Sequence, residues 1–472
     1  METRTTDLRY EFMVHTFGCK VNTYDTGLLQ KRFEALGHKY VTDFGRTAQS
    51  ERPNVPRVHI LNTCAVTAEA SKEAAKLARR LKARDPFSTV VVTGCGAQVD
   101  GEIFDQMKGV DLVVANSHKG SLERILDQYF KGTLTERVFR SNIFRKDDLE
   151  AGGGTEAAHT RAFLKIQDGC NSFCTYCVIP FARGRSRSIP AAELVRKIRE
   201  LEGRGTREVV LTGVHIGDYE DDRGGVKLGL AELVAEILER TTVPRIRLTS
   251  LEPVELSPGI LALYRDERMC RHFHMSIQSA NTRVLQVMRR KYDAEAVEWS
   301  LQTIAAEVPG AFVGMDVIVG FPGETEDEFA DTYERLARLP WTRIHVFPYS
   351  ERPGTKAAKF EGIVPRSVRA LRSERLRALS SERFSEAGRA QIGSLKRALV
   401  LKAPGNGAEA LSRDYWPIRL VSADGESATA NLSAEELHAI AGREITVRVT
   451  GFKDAEGGRM DGMLSGEWVR DA

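Results

Sequence analysis

The sequence predicts an α/β protein in three parts. These are an N-terminal open parallel α/β sheet domain, a central partial βα barrel of six repeats, and a small C-terminal β-barrel. Three observations carry this reading. Short apolar runs alternate with helical patterns over residues 8–130. The alternation resumes at residue 161, after a glycine-rich break. From about residue 390 the pattern changes to short β-type runs separated by turns.

In the first part, YEFMVHTFG (10–18), RVHILNTCAVT (57–67), TVVVTGC (89–95) and DLVVANS (111–117) read as strands. TYDTGLLQKRFEALG (23–37), AEASKEAAKLARRLKAR (68–84) and VDGEIFDQM read as helices between them. That βαβ order predicts a parallel sheet with helices on both faces. The expected boundaries are 8–135 for this domain and 136–158 for a connector ending in EAGGGTEAAHT, a flexible break. The next six strand candidates are RAFLKIQD (161–168), EVVLTGV (208–214), RIRLTS (245–250), HFHMSIQ (272–278), FVGMDVIVGF (312–321) and RIHVFPYS (343–350). Six repeats are fewer than the eight of a closed βα barrel, so the barrel over 159–388 is expected to be open. It ends in an Arg-rich helix, PRSVRALRSERLRALSSERFSEAGR, read either as a solvated face with ion pairs or as a basic surface for phosphates. KRALVLKAP, DYWPIRLVS, ESATANLS and REITVRVTGF supply the β-barrel over 389–470.

Composition excludes several classes. The chain has 472 residues, 42% hydrophobic and 28% charged, with a net charge of +3. It is long enough to bury several cores, and no strong global field draws it to nucleic acid or membrane. No apolar run approaches the ~20 residues a membrane span needs. The N-terminus METRTTDLRYEF lacks the apolar region of a signal peptide, so a cytoplasmic location is expected. Seven cysteines in such a chain point to metal or redox chemistry rather than to a disulfide framework.

Three of them, Cys170, Cys174 and Cys177, form C-x3-C-x2-C directly after the first barrel strand. Active sites of βα barrels lie at the carboxyl face of the strands. Structural zinc wants four ligands, usually from paired knuckles, and no second knuckle lies nearby. Iron–sulfur clusters use closely spaced cysteines. A four-iron cluster on three thiolates keeps one iron open. Iron–sulfur is the favoured reading; zinc and unliganded thiols remain the alternatives. Cys19, Cys64 and Cys95 each end a predicted strand, at the edge of an open α/β sheet where ligands bind. Three separate buried thiols are the plain alternative.

The triplet with Tyr176 before its last cysteine resembles the radical S-adenosylmethionine enzymes. The resemblance implies that the open iron takes the amino and carboxylate groups of S-adenosylmethionine, whose reductive cleavage gives a 5′-deoxyadenosyl radical. Adding the three dispersed cysteines and the C-terminal β-barrel, nearly the whole chain resembles the methylthiotransferases, whose barrel is the TRAM domain. In that family the N-terminal cysteines, here Cys19, Cys64 and Cys95, hold a second [4Fe–4S] cluster that carries the sulfur to be methylated and inserted. Two [4Fe–4S] clusters account for six of the seven cysteines, and Cys270 reads as a structural thiol.

TFGCKVNTYDT, LNTCAVTAEASKEAAK, KIQDGCNSFCTYCVIPFARGRSRS, LTGVHIGDY, VGMDVIVGFPGET and HVFPYSERPGT resemble the threonylcarbamoyladenosine branch. This implies conversion of N6-threonylcarbamoyladenosine, 3′ of the anticodon at tRNA position 37, to its 2-methylthio form. The implied partners are a tRNA anticodon stem-loop, an electron donor such as flavodoxin or ferredoxin, and a sulfur donor. The same chemistry on isopentenyladenosine or on a ribosomal-protein aspartate is the alternative, and a non-catalytic iron–sulfur RNA-binding sensor is the rival of another class. The sequence departs from the pattern at IQSA (277–280), where LQSG is usual, and in the insert SERPNVP.

Other candidates follow from position. Tyr176, beside the last cluster cysteine, and Gly213, His215, Ser276, Gln278 and Gly320, at strand ends, lie where the resemblance places S-adenosylmethionine. For Tyr176, His215, Ser276 and Gln278, plain packing or a satisfied structural hydrogen bond is the alternative. The glycine of VGFPGET permits close backbone approach to a ligand. Arg183, Arg185 and Arg187 in FARGRSR are candidates for RNA phosphate. Asn22 either lines the auxiliary cluster or serves a turn.

Overall fold

The structure, a computed structural model, describes residues 8–44, 55–145, 160–401, 408–420, 440–454 and 462–469. ESATANLS, nearly all of the EAGGGTEAAHT break, most of the SERPNVP insert and the first seven residues lie outside these.

The N-terminal sheet is six-stranded and parallel throughout. Its core strands are Glu11–Thr16, Arg57–Thr63, Thr89–Gly94 and Leu112–Ala115, in that spatial order. The two central strands are buried along their whole length, as continuous apolar runs covered on both faces should be. The helix after the first strand spans Lys20–Ala35, and Gly37 closes it at φ +85° with its amide on Glu34 O. That left-handed conformation favours glycine at a helix end. Helix Ala68–Arg84 matches its expected span, with the Thr67 hydroxyl accepting from the Ala70 amide as its N-cap. One expectation is corrected: Val138–Phe139, inside the expected connector, pairs with the Leu112–Ala115 strand as the sheet edge. Two residues are too few to show the alternation by which strands are read.

All six expected barrel strands form. Arg161–Lys165, Glu208–Thr212 and Arg245–Leu248 pair in parallel, as do Ser250–Leu251, His272–Gln278, Phe312–Val319 and Arg343–Pro348. The third strand breaks only at Thr249 before joining the second group. The Arg161–Lys165 and Arg343–Pro348 strands are the two edges and do not pair with each other, so the barrel is open.

Helix Arg366–Arg389 packs on the last barrel strand and divides its arginines. Arg375 and Arg389 lie exposed in ion pairs with Glu326 and Asp454, as the solvated-face reading expects, whereas others turn inward. Arg369 and Arg372 are buried. Arg372 pairs with Glu324 at 2.8 Å, and the Arg383 guanidinium lies 4.4 Å over the Trp341 ring while donating to Leu339 O. The sequence pattern hid this because long arginines carry apolar stems that cover a core while their heads find carbonyls and carboxylates.

The C-terminal barrel is closed, in the order Leu395–Val400, Glu409–Ser412, Pro417–Leu420, Met463–Val469, Glu444–Lys453. It docks on the central barrel through Arg245 and Arg247. These side chains are essentially fully buried, and both hold the Glu208 carboxylate, at 2.7 and 3.0 Å. Arg245 then reaches Glu444 at 3.0 Å and Leu411 O, while Arg247 reaches Arg413 O.

Candidate active site

The parallel register brings the dispersed cysteines to one edge. Thr16 is level with Asn62, and Thr63 with Gly94, so three neighbouring strands end side by side. Strand spacing is about 4.8 Å, which puts the residues that follow within reach of one another. Cys19 is the N-cap of its helix, Cys64 follows the second strand, and Cys95 opens a short helix, Cys95–Val99. Burial, then the neighbouring Cys95, push the Cys64 thiol up to about 11. Gly18 turns at φ +89°, and a Cβ there would sit 2.6 Å from Cys64 Sγ. Glycine therefore serves both the turn and the approach of the two cysteine loops. Asn22 is buried and staples these loops, donating to Phe17 O and Thr63 O at 2.7 and 3.1 Å.

The triplet lies on the loop after the first barrel strand. The Ser172 amide donates to Cys170 Sγ at 3.4 Å, and His215 Nδ1 is 3.8 Å from the same sulfur. Burial pushes the Cys170 thiol up, but the His215 and Ser172 hydrogen bonds outweigh it and hold it below its ordinary value. Arg290 Nη1 donates to Cys174 Sγ at 3.1 Å. Burial still holds Cys174 up, and burial with the Cys174 charge pushes Cys177 up to about 12. The N–H donors aimed at these sulfurs, together with those of Val66 and Arg183 at Cys64 and Cys95, suit anionic cluster thiolates. No described cysteine is in a disulfide. The seventh, Cys270, is fully buried with its amide on Ile246 O.

The other candidates are placed as follows. His215 stands three residues past its strand, against Asp218 at 3.1 Å, Glu252 at 3.3 Å and Glu255. Burial lowers its basicity, but Asp218, Cys170 and Glu255 raise it far above the ordinary imidazole range. Gly213 packs on Gln167, where a Cβ would meet its carbonyl and side-chain oxygens at 3.0 Å. Tyr176 joins Phe321, Val284, Met288 and Tyr349 in a small apolar cluster. Ser276 is half-buried and its carbonyl accepts from Arg290 and Tyr292. Gln278 sits at φ +63°, where the register of its strand shifts. A left-handed non-glycine residue at a bulge stores roughly 1–3 kcal/mol, the kind of strain that clusters at functional sites. Gly320, at φ +71°, forms the expected strand-to-helix turn; its amide donates to Glu324, and a Cβ would meet Arg369 Cγ at 2.2 Å.

The expectation for Arg183 is corrected. It is buried, with Nε on Cys95 Sγ at 3.2 Å, and faces the interior rather than an incoming phosphate. The helix Ile179–Arg183 turns it inward, against the N-terminal domain. Arg185 is exposed, and Arg187 is half-buried with Nη2 on Arg183 O at 2.8 Å. Sequence reasoning missed Arg290, Gln167 and the buried ion cluster of Asp25, Lys119, Lys165 and Asp168. It also missed an aromatic trio: Phe173 and Phe181 both stand 6.1 Å from each other, and Phe144 stands 6.1 and 5.9 Å from them. Isolated arginines and aromatics in loops and short helices give no periodic signal.

Comparison with known proteins agrees with this geometry. Residues 164–336 match the Radical SAM superfamily model, and residues 11–115 match the uncharacterized protein family UPF0004. The chain is 36% identical over 394 residues to threonylcarbamoyladenosine tRNA methylthiotransferase MtaB of Aquifex aeolicus, covering 82% of this chain and 92% of that one. It is 31% identical to a tRNA-2-methylthio-N(6)-dimethylallyladenosine synthase of Desulfosudis oleivorans, covering 82% of each. In fold it is similar to the radical S-adenosylmethionine methyltransferase TsrM of Kitasatospora setae, solved with cobalamin and a [4Fe-4S] cluster bound. The TM-score is 0.56 at 16% identity, over 74% of this chain and 77% of that one. The superfamily match over residues 164–336 gives the central barrel an iron–sulfur cluster and S-adenosylmethionine as cofactors. Two juxtaposed three-cysteine sites on this fold, with relatives of this similarity over most of the chain, show that the protein belongs to the radical S-adenosylmethionine methylthiotransferase family.

Proposed function

We propose that the protein is a tRNA methylthiotransferase that converts N6-threonylcarbamoyladenosine at position 37 to its 2-methylthio form. The observation that carries this is the second set of three thiols, Cys19, Cys64 and Cys95, joined through buried Arg183 to the loop of the radical cluster. A radical enzyme that only cleaves S-adenosylmethionine has no need of it. The substrate assignment rests on the sequence motifs and on the name of the Aquifex relative.

The cofactors supply, when bound, a carbon radical able to take hydrogen from an unreactive C–H bond. The chain's own residues hold and orient them. Cys170, Cys174 and Cys177 hold the radical cluster, and Cys19, Cys64 and Cys95 a second one. Asp218, Glu252 and Glu255 surround His215, and these three carboxylates outnumber the His215 and Arg290 cations that meet them, which leaves negative charge for the cationic groups of S-adenosylmethionine. Ser276 and Gln278, on the half-buried side of their strand, offer hydrogen bonds to a ribose. Burial of Tyr176 and Phe321 excludes water on one side of the site. The exposed Phe181 edge of the aromatic trio, near exposed Arg185, offers a nucleobase a stacking face and a phosphate a charge. A cytoplasmic enzyme drawing electrons from a flavodoxin or ferredoxin, and sulfur from a separate donor, fits this reading.

The test is deletion of the gene followed by mass spectrometry of tRNA nucleosides. Loss of 2-methylthio-N6-threonylcarbamoyladenosine is the expected result, and an unchanged level overturns the proposal. A second reading, action on isopentenyladenosine, is favoured by the Desulfosudis relative. The same nucleoside profile decides between them.

A further inference from the structure

Arg183 sits at the junction of the two thiol sets. Its Nε donates to Cys95 Sγ at 3.2 Å and its Nη1 meets Asp168 Oδ1 at 2.9 Å. Its Nη2 meets Asn22 Oδ1 at 2.6 Å and Asp25 Oδ2 at 3.1 Å. Asp168 is two residues before Cys170, and its other oxygen takes Lys165 at 3.0 Å. Asp25 also takes Lys165 and Lys119, at 2.8 and 3.1 Å. Asn22, Asp25, Cys95 and Lys119 belong to the N-terminal domain, and Lys165, Asp168 and Arg183 belong to the barrel.

The charges in this cluster do not cancel among themselves. Lys119, Lys165 and Arg183 are three cations, whereas Asp25 and Asp168 are the two carboxylates they contact. One positive charge is left over in a buried place, and isolated buried charge is strongly unfavourable. The group on the remaining side of Arg183 is the Cys95 sulfur. A ligand thiolate there supplies the missing negative charge. Lysine could not serve equally, because the planar fork of arginine meets a sulfur, a carboxylate and an amide oxygen in fixed directions at once.

We propose that Arg183 is a positioning residue for the auxiliary centre. It donates a charge-assisted hydrogen bond to the Cys95 thiolate, raises the reduction potential of that centre, and through Asp168 locks it against the loop that carries Cys170. The proposal rests on the reading that Cys19, Cys64 and Cys95 hold a cluster. Hydrogen bonds and charge near cluster sulfurs are among the levers that set cluster potentials. The radical cluster keeps Arg290 for the corresponding place on Cys174.

The test uses the full chain with Cys170, Cys174 and Cys177 all replaced by Ala, reconstituted anaerobically so that only the auxiliary centre remains. Iron content and the spectrum of this parent come first: a parent that binds no cluster overturns the auxiliary-cluster reading and this proposal with it. With the cluster present, its midpoint potential is measured by a redox titration followed by electron paramagnetic resonance. Arg183→Gln is expected to disfavour reduction about tenfold, a downward shift of about 59 mV for one electron. A potential equal to the parent's overturns the role of Arg183 while leaving the cluster reading intact. Should Arg183→Gln fail to fold, Arg183→Lys decides. A lowered potential in that variant supports the hydrogen bond, because the charge is kept and only the fork is lost; a parental potential overturns it.

Discussion

Arg290 donates from Nη1 to Cys174 Sγ at 3.1 Å, across 116 residues of sequence. The same guanidinium holds Glu252 at 2.7 Å and Ser276 O at 3.2 Å, so one side chain links a cluster cysteine to two strand ends of the barrel. Burial raises the Cys174 thiol, and Arg290 is the principal group opposing that. Arg290→Met is therefore expected to reduce S-adenosylmethionine cleavage by about 10–100-fold, the usual effect of losing an outer-shell partner of a metal ligand. Arg290→Lys should fall between, since it keeps the charge without the fork. Release of 5′-deoxyadenosine under dithionite checks both.

The roles proposed for the two cysteine sets are separable by experiment. Cys174→Ala should abolish cleavage of S-adenosylmethionine. Cys64→Ala should retain cleavage and lose the methylthiolated product. Quantifying 5′-deoxyadenosine and modified nucleoside in one reaction distinguishes these outcomes, and full product from Cys64→Ala would remove the second cluster from the mechanism.

Gly18→Ala tests the geometry of the N-terminal set. The added Cβ meets Cys64 Sγ at 2.6 Å, in a backbone conformation of φ +89° that alanine resists. The cost is more than about 1 kcal/mol. Iron bound by the variant lacking Cys170, Cys174 and Cys177 should fall severalfold when Gly18→Ala is added, while its far-ultraviolet dichroism stays the same.

Stability should fall in acid. Burial raises Glu208, but Arg247, Arg161 and Arg245 outweigh it and hold the carboxyl well below its ordinary value. Asp25 behaves likewise beneath Lys119, Lys165 and Arg183. Each such group stabilises the fold fully above its unfolded value, roughly 4. That contribution is lost as the pH falls from there toward the folded value. Thermal melts from pH 7 to pH 3 should show their steepest decline below about pH 4.5, beyond the gentler change that histidines such as His59 and His272, held neutral by burial, contribute below about pH 6.5. Glu208→Leu, which strands three guanidinium groups, should lose about 3–5 kcal/mol at neutral pH and no longer contribute to the acid slope.

Phe181→Ala should weaken binding of an anticodon stem-loop by about 1–3 kcal/mol, the range for one base stacked on an aromatic ring. Arg185→Ala should flatten the salt dependence of the same binding. Fluorescence anisotropy over a range of salt concentrations measures both effects.

Much of this was legible because it is periodic or punctuated. Apolar runs bounded by glycine gave the strands of both α/β parts, and the spacing of Cys170, Cys174 and Cys177 gave the cluster loop directly. The Val138–Phe139 edge strand and the Glu409–Ser412 and Met463–Val469 strands were missed, because runs this short, or interrupted by glycine and charge, carry no clear period. Arginine was the systematic error. Arg183 was read as a surface residue because charged side chains are almost never fully buried unless paired. The pairs lie up to 161 residues away in sequence.

By itself, then, the sequence determined the class of fold, the grouping of six cysteines into one close triplet and one set at strand ends, and the order of the three parts. Each depends on local spacing or on alternation along one segment. Only the tertiary structure decided that Arg183 faces Cys95, that Arg290 faces Cys174, and that Arg245 and Arg247 fasten the C-terminal barrel. Those contacts join loops, helix ends and strands from segments far apart in the sequence. Whether a buried arginine is tolerated there depends on carboxylates and sulfurs that the chain supplies from distant segments.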